Sequence, residues 1–100
     1  MRLIPAYHLR ALRNRVAVVE LITHLAIPTR TTGARFSFRC PQCGGFPTAT
    51  DPATNLARCF HCQRNFNPIE LVMAERHLNF LDAVRYLEAT YGMTPATTRA

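Results

Sequence analysis

The first quarter of the chain has apolar residues at helical spacing. They lie three or four positions apart and are Leu9, Leu12, Val16, Val19 and Ile22. Pro5 suits the first turn of a helix and Asn14 is a candidate break, so residues 6–25 are predicted to form one or two helices. Ile27-Pro28 ends the pattern. Such a stripe belongs to a core more often than to a partner-binding face, and we expect this one to pack inside.

The pattern then changes from helical to alternating. In residues 34–40 (ARFSFRC) every second side chain is apolar, which predicts a strand with Phe36, Phe38 and Cys40 on one face. Residues 46–50 and 56–60 are further strand candidates, separated by residues 51–55 (DPATN), whose composition is that of a turn. We expect a small antiparallel sheet with the two cysteine pairs at its turns.

The last third is helical again and has clear start signals. Asn67 can cap a helix, Pro68 takes its first position, and Glu70 completes a capping box. Asn79 caps a second helix, which Gly92 terminates. One side of this second helix is predicted to be apolar, through Phe80, Val84, Leu87 and Tyr91.

These elements predict an α+β fold, in which a small antiparallel sheet, here called the ribbon, is flanked by N-terminal and C-terminal helices. One hundred residues are enough for a single domain with a small core. We expect this domain to span residues 1–92, and 93–100 to be a tail or the start of a linker. Within it the helices cover about 6–25, the ribbon about 29–66, and the last two helices about 68–77 and 79–91.

Charge adds a hint about partners. All twelve basic residues are Arg, and with six acids they leave a net charge of +6. The surplus lies in residues 1–66, whereas residues 67–100 carry three Arg and four acids. Such a balance indicates a polyanionic partner, nucleic acid before membrane. A GC-rich genome would also explain Arg in place of Lys, but not the surplus of positive charge.

Targeting signals are not evident. The longest apolar run near the start is residues 16–19, far from the roughly 20 residues of a membrane helix. Residues 1–19 hold four Arg and no acid, a composition that is also typical of transit peptides. Against it, the only Ser is Ser37 and the apolar spacing continues past residue 19. We therefore expect a cytoplasmic protein without membrane contact, in which thiols stay reduced.

The most specific signal is a pair of Cys-x-x-Cys turns. The first pair is Cys40 and Cys43, the second is Cys59 and Cys62, and fifteen residues lie between the two pairs. Two such turns joined by a hairpin can direct four thiolates at one Zn²⁺, with Zn–S distances of about 2.3 Å. Four sulfur ligands leave no open coordination position, so the predicted zinc site is structural. Structural zinc stabilises a fold by roughly 10–16 kcal/mol in apparent terms.

Other uses of the four cysteines remain open at this point. They could hold iron as in rubredoxin, or form disulfides, which conflict with a cytoplasmic protein. A thioredoxin-like redox motif would need a βαβ unit, which the pattern does not contain. His61 is a potential ligand, but as the neighbour of Cys62 it cannot easily turn onto the same ion, and we expect it to point outward.

Four stretches in this order resemble the N-terminal zinc-binding domain of bacterial DnaG-type DNA primases. They are residues 40–43 (CPQC), 59–62 (CFHC), 69–73 (IELVM) and 80–87 (FLDAVRYL). The likeness extends over about residues 4–92. The chain departs from the family where Cys43 replaces the usual His ligand, and where His61, Gln63 and Phe66 occupy places that are commonly Gly.

The resemblance implies binding of a single-stranded DNA template and assistance in primer initiation during DNA replication. In that family a separate polymerase domain makes the RNA, and the chain shows no carboxylate cluster for Mg²⁺, so it would be the non-catalytic part of a primase. The implied partners are template DNA, a primase polymerase domain and a replicative helicase.

Residues beside the cysteines are candidates for nucleic-acid contact. Arginine forks bind phosphate oxygens, and exposed aromatic rings stack on unpaired bases. The candidates are Arg35, Arg39, Arg58 on the neighbouring strand, Arg64, Phe60 and His61. A merely solvated face is the alternative for the arginines, and core packing is expected for Phe36, Phe38 and Phe46. The alternative functions are a protein–protein adaptor, docking on a replication or transcription enzyme, and an electron carrier.

Overall fold

A computed structural model describes residues 4–93, which form four helices and five strands. The helices are α1 (Ala6–Arg15), α2 (Val18–His24), α3 (Pro68–Arg76) and α4 (Phe80–Tyr91). The strands are β1 (Thr29–Thr32), β2 (Arg35–Phe38), β3 (Thr48–Asp51), β4 (Leu56–Cys59) and β5 (Arg64–Phe66). Of the predicted tail, all but Met93 lies outside the described residues. Within residues 4–93, no helix has both the length and the apolar character to cross a membrane.

Residues 6–25, predicted to form one or two helices, contain two, and the break lies two residues after the candidate break at Asn14. Val16 has an extended backbone (φ −85°, ψ 104°), and α2 starts at Val18. The break resets the helical phase, so Val18 and Leu21 are buried in α2 while Val19 is exposed. The prediction that Val19 belongs to the buried stripe is therefore wrong.

The α+β class is confirmed, but the strands form two small sheets where one was predicted. β1 pairs with β2 in a hairpin, and β3, β4 and β5 form a separate antiparallel sheet. β1 was not predicted because all four of its residues are exposed and show no apolar alternation. β5 has only three residues, too few to show a period.

A buried threonine joins the two sheets. The Thr48 hydroxyl donates to the carbonyl oxygen of Phe38 at 2.7 Å and accepts from its N–H at 2.8 Å. Thr48 and Phe38 are both completely buried. The side chain thus satisfies two backbone groups at the end of β2 that have no strand partner in this direction.

A turn residue joins the three-stranded sheet to the N-terminal helices. Asn55 lies between β3 and β4 with a left-handed backbone (φ 55°). Its side-chain amide donates to the carbonyl oxygens of Arg13 and Val16 at 2.7 and 2.8 Å. Its Oδ1 accepts from the N–H of Val18 at 2.9 Å. One side chain therefore satisfies three backbone groups at the α1–α2 break.

The C-terminal helices begin as their capping signals predict. Asn67 accepts from the N–H of Glu70 at 2.8 Å, and the Glu70 carboxylate accepts from the N–H of Asn67 at 3.0 Å. Asn79 caps α4 and Gly92, with φ 65°, ends it. The α4 core positions include Val84 and Leu87, but Phe80 at the start of the helix stays 43% exposed.

Candidate metal centre and nucleic-acid interface

The structure brings the four cysteine sulfurs into one cluster. Cys40 Sγ lies 3.8 Å from Cys62 Sγ, and Cys43 Sγ lies 3.7 Å from Cys59 Sγ. All four sulfurs are within 4.8 Å of one another. Each close pair takes one cysteine from each Cys-x-x-Cys turn. The two turns, which we call the first knuckle (residues 40–43) and the second knuckle (residues 59–62), therefore face each other.

Secondary structure sets the position of each knuckle. Cys40 follows β2 by two residues, Cys59 ends β4, and both are buried. Cys43 is exposed and Cys62 is half-buried, so one side of the cluster faces the solvent. Backbone N–H groups point at the sulfurs: Gln42 N lies 3.4 Å from Cys40 Sγ, and Cys62 N lies 3.4 Å from Cys59 Sγ. Such bonds stabilise thiolates, which are the metal-binding form of cysteine.

Burial and neighbouring groups shift the pKa values of Cys40, Cys59 and Cys62. Burial opposes ionisation of Cys59, but the N–H of Cys62 and the neighbouring thiols lower its pKa to about 7. Burial and the thiol of Cys43 raise the pKa of Cys62. Burial likewise raises the pKa of Cys40. One thiolate therefore forms readily, and further negative charge a few ångströms away is unfavourable until a cation neutralises it.

The sulfur positions fit one tetrahedral zinc ion. Zn–S bonds of about 2.3 Å place tetrahedral sulfurs about 3.8 Å apart, which the two close pairs match. Among the described residues, the cluster contains four cysteines and no carboxylate or imidazole. His61 is exposed and is not part of it. Four thiolates complete the coordination, so the arrangement suits a structural ion.

Comparison with known protein families agrees with this geometry. The family model of the CHC2 zinc finger, the zinc ribbon of DnaG-type primases, matches residues 4–100. The chain belongs to the CHC2 zinc-finger family. Its cofactor is accordingly one structural zinc ion, and Cys43 takes the place of the usual His in this CHC2 finger. A search of curated proteins found no match to the chain.

Two of the predicted nucleic-acid residues of this CHC2 finger lie together. On the outer face of the three-stranded sheet, the Arg58 guanidinium carbon is 5.5 Å from the centre of the Phe60 ring. Phe60 is 51% exposed. Arg58 also donates to Asn65 Oδ1 at 3.1 Å, across the β4–β5 pair. These residues line a shallow groove of about 310 Å³, which we call the sheet groove.

Arg35 and Arg39 lie on another element. Arg35 is the first residue of β2, and Arg39 directly follows the strand. Residues 35, 37 and 39 alternate onto one face of the hairpin, which also holds Arg30, the cross-strand partner of Ser37. The prediction that Arg58 lies on the strand neighbouring Arg35 and Arg39 is wrong, since β2 pairs with β1 alone among the described strands. Arg39 is also 3.6 Å from the Glu75 carboxylate on α3, which offsets part of its charge.

One predicted arginine, Arg64, and two residues that were not predicted, Arg30 and Asn65, are also exposed. Arg64 is exposed on β5, with its guanidinium carbon 5.4 Å from the Phe66 ring centre. Arg30 lies over the ring of Phe46 at 3.9 Å, a close cation–π geometry. Arg30 could have been found from its neighbours Thr29, Thr31 and Thr32, because β-branched residues favour strands. Asn65 had no comparable signal, because its role depends on the pairing of β4 with β5.

Proposed function

We propose that this CHC2 finger binds single-stranded DNA template and assists primer initiation as the non-catalytic module of a DnaG-type primase. The observation that carries the proposal is the sheet groove. It combines an exposed ring, Phe60, with a guanidinium, Arg58, that Asn65 holds in place. Rings of this kind stack on unpaired bases with about 1–3 kcal/mol per base, while guanidinium groups bind the backbone phosphates.

The surroundings of the sheet groove favour an anionic, unpaired strand. Its one acid, Asp51, accepts from the N–H of Ala53 at 3.0 Å and so is engaged in the local turn. We assign the phosphate contacts to Arg58 first, and extend the proposed surface to Arg35, Arg39 and Arg64, with His61 beside Phe60. The four cysteines hold the zinc that keeps these elements together. We place the protein in the cytoplasm, with a primase polymerase domain or replicative helicase as further partners.

The test is binding of a fluorescent oligothymidylate to the zinc-loaded protein as salt is varied. The logarithm of affinity should fall linearly with the logarithm of salt, with a slope of about −0.7 per phosphate neutralised. Arg58→Ala should reduce that slope, and Phe60→Ala should weaken binding about 5- to 150-fold, the equivalent of one lost stack.

Matched substitutions control for general effects of charge and exposed surface. Arg85→Ala removes an exposed arginine from α4, and Leu81→Ala removes an exposed apolar side chain, both away from the sheet groove. Neither should change affinity. Equal losses in all four variants would refute the sheet groove as the binding face. Absence of oligonucleotide binding, with retention of a helicase or polymerase in a pull-down, would favour the adaptor alternative.

A further inference from the structure

A second concave surface is lined mainly by residues of α3 and of the segments next to it. A cavity of about 500 Å³ is bounded by α3, the start of α4, and the first knuckle. Its floor is apolar and consists of Ile69, Met73, Ala74, Leu78 and Phe80. We call it the α3 groove. Its size is within the range of ligand-binding clefts, and it shares no lining residue with the sheet groove.

The apolar floor is incompletely covered by the chain itself. Phe80 has the helical register of a core residue, one turn before the buried Val84, yet it is 43% exposed. Met73 and Leu78 are only half-buried. Apolar side chains that line a concavity and still contact water gain free energy when another apolar surface covers them. The floor therefore has the character of a docking surface.

The rim of the α3 groove is positively charged. Arg13 from α1 and Arg64 from β5 both line it, and within residues 4–93 neither has a carboxylate at ion-pair distance. The one acid of the lining, Glu70, accepts from the N–H of Asn67 in the capping box. Gln42 adds an uncharged amide from the first knuckle. The rim is complementary to a ligand that carries carboxylates.

The combination distinguishes a peptide from a nucleic acid. Four of the five floor residues are aliphatic, and aliphatic surfaces bind aliphatic side chains better than they stack on bases. A polyphosphate backbone would also bring a continuous row of negative charge close to Glu70. An amphipathic helix can place its apolar side on the floor and direct single carboxylates at Arg13 and Arg64.

We propose that the α3 groove binds an acidic amphipathic segment of a partner protein. The first knuckle forms one wall through Gln42, whose N–H is directed at Cys40 Sγ, and Arg64 follows the second knuckle by two residues. The zinc ion thereby maintains the shape of the groove. The α3 groove shares only Arg64 with the proposed template surface, so one protein can hold DNA on the sheet groove through Arg58 and Phe60 and a protein partner on the α3 groove.

The experiment selects ligands from a displayed library of random peptides of about twelve residues, which spans about three helical turns. Selection uses the zinc-loaded protein and, in parallel, the charge-reversed variant Arg13→Glu/Arg64→Glu. The wild type should enrich peptides with Leu, Met or Phe at helical spacing and Asp or Glu between them. The variant should bind these peptides at least about tenfold more weakly and enrich Lys- or Arg-containing ones instead.

A second pair of variants separates loss of the groove from loss of the fold. Phe80→Ser should weaken the selected peptides about tenfold or more, whereas Leu81→Ser, an equally exposed neighbour outside the lining, should not. Zinc content verifies folding in each case. The proposal is overturned if no peptide is enriched or if both proteins enrich the same charges. Arg58→Ala should leave peptide affinity unchanged, which keeps this test separate from that of template binding.

Discussion

The two knuckles have the same Cys-x-x-Cys spacing but present their intervening residues to different surfaces. In the first knuckle, Gln42 lines the α3 groove. In the second, Phe60 is 51% exposed and lines the sheet groove. Both knuckles contribute two sulfurs to the same cluster, while the residues between the cysteines differ in what they contact. The spacing thus determines the cysteine cluster, and the intervening side chains differ in the groove that they line.

The knuckles also differ in how the chain leaves them. The residue after each second cysteine has a left-handed backbone: Gly44 with φ 77° and Gln63 with φ 56°. Glycine adopts this conformation without steric cost, whereas a residue with a Cβ is less stable there. The second knuckle therefore retains backbone strain that the first one avoids.

Removal of zinc should have the largest effect, because it affects both knuckles at once. Stripping the metal with a chelator should abolish the cooperative thermal transition, since structural zinc contributes roughly 10–16 kcal/mol in apparent terms. Circular dichroism during heating measures this, and addition of one equivalent of zinc should restore the transition. A metal-free protein, verified by elemental analysis, that melts like the zinc form would contradict a shared structural site.

Acidification should release the metal, with the direction set by proton competition. Zinc binding displaces protons from the thiols, so its affinity must fall as the pH falls. Cys40 and Cys62, whose pKa values are raised, lose protons to zinc across the neutral range. Cys59, with a pKa of about 7, is protonated in the metal-free protein only below that pH, and there one more proton competes with zinc. A competition titration with a chromogenic chelator should show affinity falling more steeply below about pH 7; an unchanged slope would argue against a lowered pKa of Cys59.

Thr48→Val should destabilise the protein by removing the hydrogen bonds that connect the strands leading into the two knuckles. Thr48 pairs across the sheet with Cys59 and bonds both backbone groups of Phe38, two residues before Cys40. Valine would leave a buried N–H and a buried carbonyl without partners, at about 1–3 kcal/mol each. The thermal midpoint should fall by roughly 10 °C or more. Thr50→Val, on the same strand and with no side-chain hydrogen bond among the described residues, is the control and should have little effect.

Exchanging one ligand for histidine should distinguish an exposed position from a buried one. Cys43 is exposed, and the family usually has His there, so Cys43→His should retain one equivalent of zinc. Cys59 is completely buried, so in Cys59→His the larger imidazole should overpack its surroundings and lower the free energy of unfolding by about 1–3 kcal/mol. Zinc stoichiometry and the thermal midpoint measure both. Equal damage from the two changes would show that burial does not differentiate the ligands.

The smallest expected effect comes from substitutions at Gly44 and Gln63, the residues that directly follow each knuckle. Gln63→Gly should raise the free energy of unfolding by a few tenths to about 1 kcal/mol, because it removes the left-handed strain. Gly44→Ala is the reciprocal change. Its added Cβ would meet no atom within 4 Å, so the expected loss of about 1 kcal/mol is due to the backbone alone. Urea denaturation of the zinc-loaded proteins measures both; changes of the same sign would contradict this account.

Features that depend on neighbours along the chain can be predicted from the amino-acid sequence. The capping box at Asn67, the alternation that produces β2, and each Cys-x-x-Cys turn are local, because helix caps, strand faces and knuckles are formed by residues a few positions apart. The α+β class and the zinc cofactor followed from them.

Contacts between distant segments, in contrast, depend on how the chain folds in three dimensions. The second sheet, the Thr48 and Asn55 connections, and the separation of Arg58 from Arg39 depend on strand pairing between distant segments. Pairing is selected by the burial of whole faces and by the satisfaction of backbone hydrogen bonds, neither of which a local pattern records. For the same reason the α3 groove, which takes residues from positions 13 to 80, has no signature in any single stretch.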